Sequence, residues 1–110
     1  MQYELAIVGG GPAACGAAVY AGRKQLKTVM IAEEIGGQSA VSETIYNWIG
    51  TPSIGGTELA LSLKKHVEEY TKEKAGEKGT VTLTTGVKVT SIIKDGALFV
   101  LNLSDGSTLT

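Results

Sequence analysis

A disulfide framework is the first thing this sequence excludes, because its 110 residues hold a single cysteine, Cys15. No intramolecular bridge can form, an oxidising compartment is not required, and the expected location is cytoplasmic. Charge of one sign is also scarce in net terms. Ten Lys and Arg stand against eleven Asp and Glu, a formal charge of -1, so no global field attracts nucleic acid or anionic membrane. Neither is an expected partner. Long apolar runs are missing too, since no stretch approaches the roughly 18 residues of a membrane helix. With only two prolines and 43% apolar residues, the composition is that of a soluble globular protein. The length suits one domain, 1–110, and no repeat, low-complexity tract or linker divides it. The start lacks positive charge as well: MQYE brings Glu4 but no Lys or Arg. That weighs against reading the following LAIVGGGPAACGAAVYAG as the middle of an export signal. The stretch is expected to be structure.

What is present has the rhythm of alternating strands and helices. Residues 4–8, ELAIV, form a short apolar run ending in three glycines, which predicts a fully buried parallel strand. Pro12 then suits a first helical position, and the helix should run to about Lys24. Its Ala14, Ala17, Ala18 and Ala21 fall on one stripe that can approach a sheet closely. KTVMIAEE, residues 27–34, reads as a second strand, so strand, helix and strand make a βαβ unit. Residues 35–56 lack sustained periodicity and read mostly as a functional loop with room for a helical turn. Thr57 is a candidate N-cap for an amphipathic helix ending before Gly76, with Leu59, Leu63, Val67 and Tyr70 on its apolar stripe. Segments 80–85, 87–94 and 97–103 are strand-like and suggest a meander after that helix, Val87 following the third core strand. Asp95-Gly96 marks a hairpin, and SDGS at 104–107 a turn into a last short strand. The fold class is α/β, a Rossmann-like parallel sheet with two helices and an antiparallel meander packed across it.

Gly9-x-Gly11-x-x-Ala14 matches G-x-G-x-x-G/A between a strand and a helix, and Glu33 answers it at the end of the second strand. Each position has a physical task. Gly9 permits the tight turn, Gly11 lets backbone approach a pyrophosphate, and Ala14 keeps helix near strand. The helix N-terminus favours the phosphate charge. Glu33 would accept hydrogen bonds from a ribose and repel a phosphorylated one, which favours FAD or NAD over NADP in this site. The alternative is a plain strand-to-helix turn with Glu33 a solvated surface acid. Spacing alone does not separate FAD from NAD.

Four motifs taken in order, IVGGGPAACGAAVYAGR, IAEEIGGQ, IYNWIG and GTELALSLKKHVEEY, resemble the amino-terminal FAD-binding region of the thioredoxin reductase family, the class II pyridine nucleotide-disulfide oxidoreductases. The resemblance covers essentially the whole chain. It implies FAD, with Gly9, Gly10, Gly11, Pro12 and Ala13 around the pyrophosphate and Glu33 at the adenosine ribose. Gly37 and Gln38 match the family's loop on the flavin side, Asn47 its asparagine near the isoalloxazine, and Val87 the position whose backbone meets adenine. For Gln38 and Asn47 ordinary loop capping is the alternative, and Trp48 is expected to pack rather than react. In the parent enzyme the resemblance implies hydride from NADPH to flavin, then electrons to a redox-active cysteine pair and on to thioredoxin or a related disulfide protein. A homodimer is the expected assembly.

The departures from that pattern shape the expectation. Ala14 stands where many members have glycine, and the A-T-G strand, second glycine loop and Cys-x-x-Cys pair are not in the sequence. A truncated FAD-binding domain is therefore expected, with no catalytic residue of its own and no turnover alone. Two other readings stay open: the NAD-binding half of a dehydrogenase, and a non-catalytic module that dimerises without cofactor. Cys15 reads as a small buried side chain, though a helix N-terminus could lower its pKa. His66 reads as part of a solvated helix face, with no metal site expected.

Overall fold

The computed structural model describes residues 2–36, 43–71 and 79–110. Strand β1 (Leu5–Val8) leads through the glycines into helix α1 (Pro12–Arg23) and back into β2 (Thr28–Ala32). Two short strands, β3 (Thr44–Ile45) and β4 (Ile54–Gly55), then precede helix α2 (Gly56–Glu68). Strands β5 (Val81–Thr85), β6 (Val89–Asp95), β7 (Leu98–Leu103) and β8 (Thr108–Leu109) complete the described chain.

Strand β2 explains the architecture. All five of its residues, TVMIA, are buried, because it lies between β1 and β5 in a parallel sheet of order β1-β2-β5. Leu5 to Val8 pair with Thr28 to Ile31, and Thr28 to Ala32 pair with Val81 to Thr85. Alternation along the strand sends successive side chains to opposite layers. Met30 joins Ile7, Cys15, Ala18, Val67 and Val81 in a cluster beneath the helices. Val29 and Ile31 meet Leu101 and Leu103 on the other side, where β6, β7 and β8 form an antiparallel sheet. The result is three layers: helices, parallel sheet, antiparallel sheet.

Several expectations need correction. β1 is parallel but not fully buried: among the described residues it sits at a sheet edge, with only Ile7 buried and Val8 51% exposed. On α1, Ala18 and Ala21 are buried as expected but Ala17 is exposed, and Cys15 and Gly22 take its place on the inner face. The cause is Tyr70, two residues past the end of α2, whose ring lies so close that a Cβ on Gly22 would meet it at 2.6 Å. Segment 80–85 belongs to the parallel sheet as β5 and not to the meander, which is β6-β7-β8. Helix α2 starts at Gly56 with Gly55 as its N-cap and no side-chain cap, so Thr57 lies in the first turn. It ends at Glu68, before the expected Gly76 boundary, and 72–78 lie outside the described residues. The hairpin loop is Gly96-Ala97 rather than Asp95-Gly96, since Asp95 still pairs with Leu98 and Gly96 takes the positive φ of 63°. The SDGS turn stands, with the Asp105 carboxylate accepting from the Ser107 amide and hydroxyl. Those bonds hold the Asp105 carboxyl below its ordinary range.

Candidate functional site

Parallel pairing brings the carboxyl ends of β1 and β2 side by side, and the glycine turn rises from the first of them. Gly9 has φ 129°, a backbone conformation closed to ordinary L residues. Its amide donates to the Ile31 carbonyl at 2.9 Å, fixing the turn to β2. A Cβ on Gly9 would stand 3.8 Å from the Ala14 Cβ, which places Ala14 where strand and helix meet.

The next two glycines are small for different reasons. A Cβ on Gly10 would lie 2.0 Å from the Glu34 carbonyl oxygen and 2.9 Å from the Ala32 Cβ. The protein's own backbone fills that side, and the Gly36 amide donates to the Gly10 carbonyl. At Gly11 nothing lies within 4 Å of the corresponding point. Gly11 is the N-cap of α1 with no side-chain cap, Pro12 follows in the first turn, and no acidic residue sits there. Open space over an uncapped helix N-terminus fits an anionic phosphate. Ala13 is exposed and Pro12 partly exposed on the same rim.

Glu33 emerges immediately after β2, and its carbonyl accepts from the Gly86 amide at 3.1 Å. That bond joins the ends of β2 and β5 and brings Lys88 beside Glu33, with Nζ 3.7 Å from Oε2. Both side chains are more than half exposed. A cavity of about 350 Å³ opens here between Glu33, Glu34, Ile35 and Thr85 and the Thr57 and Lys64 face of α2. Val87 turns its side chain into the cluster around Val29 and Leu101. Lys88, next to it, is tied through its own backbone to Ser104 in the β7–β8 turn. Sequence reasoning missed Lys88, for which no motif signals, because its place depends on the register of β5 against β2.

The structure thus brings Gly9, Gly10, Gly11, Pro12, Ala13, Glu33 and Val87 to the carboxyl end of the parallel sheet. Asn47 is exposed in the segment between β3 and β4, beside an open depression of about 410 Å³ that shares no residue with the cavity at Glu33. Trp48, expected to pack, is exposed there. Gly37 and Gln38 lie outside the described residues.

Cys15 is buried under the turn and its thiol donates to the Gly10 carbonyl across 3.8 Å. Burial pushes this thiol up from its ordinary range, the reverse of activation by a helix N-terminus. Ellman's reagent should therefore react with native Cys15 about a hundredfold more slowly than with the chain unfolded in urea. A native rate near the unfolded one would place the thiol at the surface. His66 is exposed, its ring 6.2 Å from that of Tyr70. Among the described residues no group of three metal-ligating side chains exists, and no helix is long and apolar enough to cross a membrane.

Comparison with known proteins agrees with this arrangement. Residues 3–110 match the family described as pyridine nucleotide-disulphide oxidoreductase. In Staphylococcus aureus (strain NCTC 8325 / PS 47), one component of alkyl hydroperoxide reductase is 34% identical over 107 residues, 97% of this chain and 19% of that protein. NADH dehydrogenase of Bacillus subtilis (strain 168) is 43% identical over 68 residues, 62% of this chain and 13% of the relative. The crystal structure of T. acidophilum thioredoxin reductase superposes with a TM-score of 0.82 at 29% identity, covering 98% of this chain and 32% of that one. The chain therefore spans a third or less of each of these three relatives. With a parallel sheet, a glycine turn and an antiparallel sheet arranged as in the reductase, its fold is the Rossmann-like FAD-binding fold, and the chain belongs to the pyridine nucleotide-disulphide oxidoreductase family.

Proposed function

We propose that this chain is the FAD-holding part of a thioredoxin reductase-like flavoprotein oxidoreductase. The observation that carries the reading is the open space at Gly11 over the uncapped start of α1, with Glu33 on the adjoining strand end. Gly11, Pro12 and Ala13 would hold the pyrophosphate through backbone amides and the helix dipole. The Glu33 carboxylate would accept from the adenosine ribose, and the backbone at Val87 would meet the adenine. Gly37, Gln38 and Asn47 would serve the flavin side. Bound FAD supplies two-electron redox chemistry, and the protein's share is to hold and orient it.

In the parent enzyme, electrons would come from NADPH and leave through a cysteine pair to a thioredoxin-like disulfide protein. With one cysteine in the chain, the disulfide step falls to residues outside it, and these 110 residues alone would turn nothing over. Homodimeric assembly and a cytoplasmic location belong to the same reading.

The test is direct titration of the purified chain with FAD, NAD and NADP, followed by flavin fluorescence and thermal melting. FAD should bind and raise Tm, because a ligand of the folded state stabilises it by mass action. Protection by NAD and not FAD would make the chain the nucleotide-binding half of a dehydrogenase. No response to any of the three would leave a module without cofactor.

A further inference from the structure

Among the described residues, the Lys88–Glu33 pair is a polar contact at the carboxyl end of the sheet that the cofactor residues do not account for. An exposed ion pair contributes little to folding, since water and salt screen it and two long side chains must be ordered. Yet its position is set by backbone on both sides. Glu33 follows β2 directly, and its carbonyl is bound by the Gly86 amide. Gly86, with φ 82°, turns the chain after β5. Lys88 is then clamped two residues later, its amide donating to the Ser104 hydroxyl at 3.0 Å and its carbonyl accepting from the Ser104 amide at 2.8 Å. The ammonium is therefore delivered from fixed backbone to a carboxylate whose own backbone is fixed.

We propose that Lys88 is a positioning residue for the nucleotide site, holding Oε2 of Glu33 so that the carboxylate is preset to accept from the adenosine ribose. The inference rests on the FAD reading above. A free glutamate has three side-chain torsions to order when a ribose binds, and an anchored one loses less freedom at that step. Glu33 keeps its second oxygen, and a carboxylate has enough lone pairs to serve both partners.

The experiment measures FAD affinity of the full 110-residue chain as wild type, Lys88→Gln, Lys88→Arg, Glu33→Gln and the double variant Lys88→Gln/Glu33→Gln. Lys88→Gln should raise the FAD Kd about three- to tenfold with an unchanged Tm for the unliganded chain. Lys88→Arg should restore it, and in about 1 M NaCl the two affinities should converge as the pair is screened. FMN, which lacks the adenosine ribose, should not discriminate the variants. In the Glu33→Gln background, Lys88→Gln should add nothing. A full additional loss there would overturn the inference, because Lys88 would then act on the cofactor independently of Glu33. Wild-type affinity in Lys88→Gln would overturn it as well, leaving the FAD reading intact. A wild-type chain that takes up no FAD would overturn that reading, and the inference with it.

Discussion

Gly10→Ala is expected to destabilise the fold by about 3 kcal/mol or more, while Gly11→Ala, one residue on, should change stability by no more than about 1 kcal/mol. The contrast follows from what each new methyl group meets. At position 10 it would fall 2.0 Å from a backbone oxygen, that of Glu34, and 2.9 Å from the Ala32 Cβ. Neither is the far end of a flexible side chain, so relief requires moving the end of β2 away from the turn. At position 11 the methyl meets nothing within 4 Å, and the backbone, with φ -80° and ψ -174°, suits any L residue. Its effect should appear in binding. The methyl occupies the space over the first amides of α1, and FAD affinity should fall about tenfold or more. Urea denaturation and FAD titration on the two variants separate the roles. Equal stability losses would mean that both glycines serve only the turn, and unchanged FAD affinity in Gly11→Ala would remove Gly11 from the site.

The contrast also marks how far the sequence alone reaches. The motif identifies Gly9, Gly11 and Ala14, and the structure bears out the turn at Gly9 and the close strand-helix approach at Ala14. These tasks are local, decided by residues a few positions apart. The resemblance assigns Gly10 to the pyrophosphate, and the motif does not show the packing reason for its missing side chain, which is Glu34 on the next strand's exit. Distance in sequence also explains the misses. Four alanines at helical spacing do not say which edge of their stripe turns inward, and Tyr70, packed on Gly22 from just past the second helix, settles it toward Cys15. The apolar run ELAIV reads as buried on both faces, yet sheet order is not written within a strand, and among the described residues β1 stands at an edge with Val8 half exposed. Lys88 is illegible for the same reason. Glu33 is legible because the crossover fixes its distance from the glycines along the chain. Spacing allows FAD or NAD, and the choice of FAD comes from resemblance.

Met30→Ala is expected to be the most damaging single truncation on the helix side of the sheet, at about 2–5 kcal/mol. Met30 is fully buried at the middle of β2, with Ile7 and Leu83 as its register partners on either side. Over it lie Cys15, Ala18 and Val67. Two of these are too small to swing into a cavity, and α1 cannot sink further because Gly22 already touches Tyr70. The hole should therefore stay open, placing the loss toward the upper end of that range. A loss of this size lowers Tm by about 10 °C or more in a domain of this length. Met30→Leu, close in volume, should cost less than about 1.5 kcal/mol. The damage should also be partly reversible by ligand. Met30 faces the helices, in the cluster with Cys15, Ala18 and Val67, so intrinsic affinity should change little. FAD at about a hundred times its Kd then returns about 2.7 kcal/mol to the folded state. Thermal melts of Met30→Ala with and without FAD test both parts: a small Tm drop would mean the helix layer collapses into the hole, and absence of rescue would mean that β2 carries the glycine turn and Glu33 out of register when its centre is emptied.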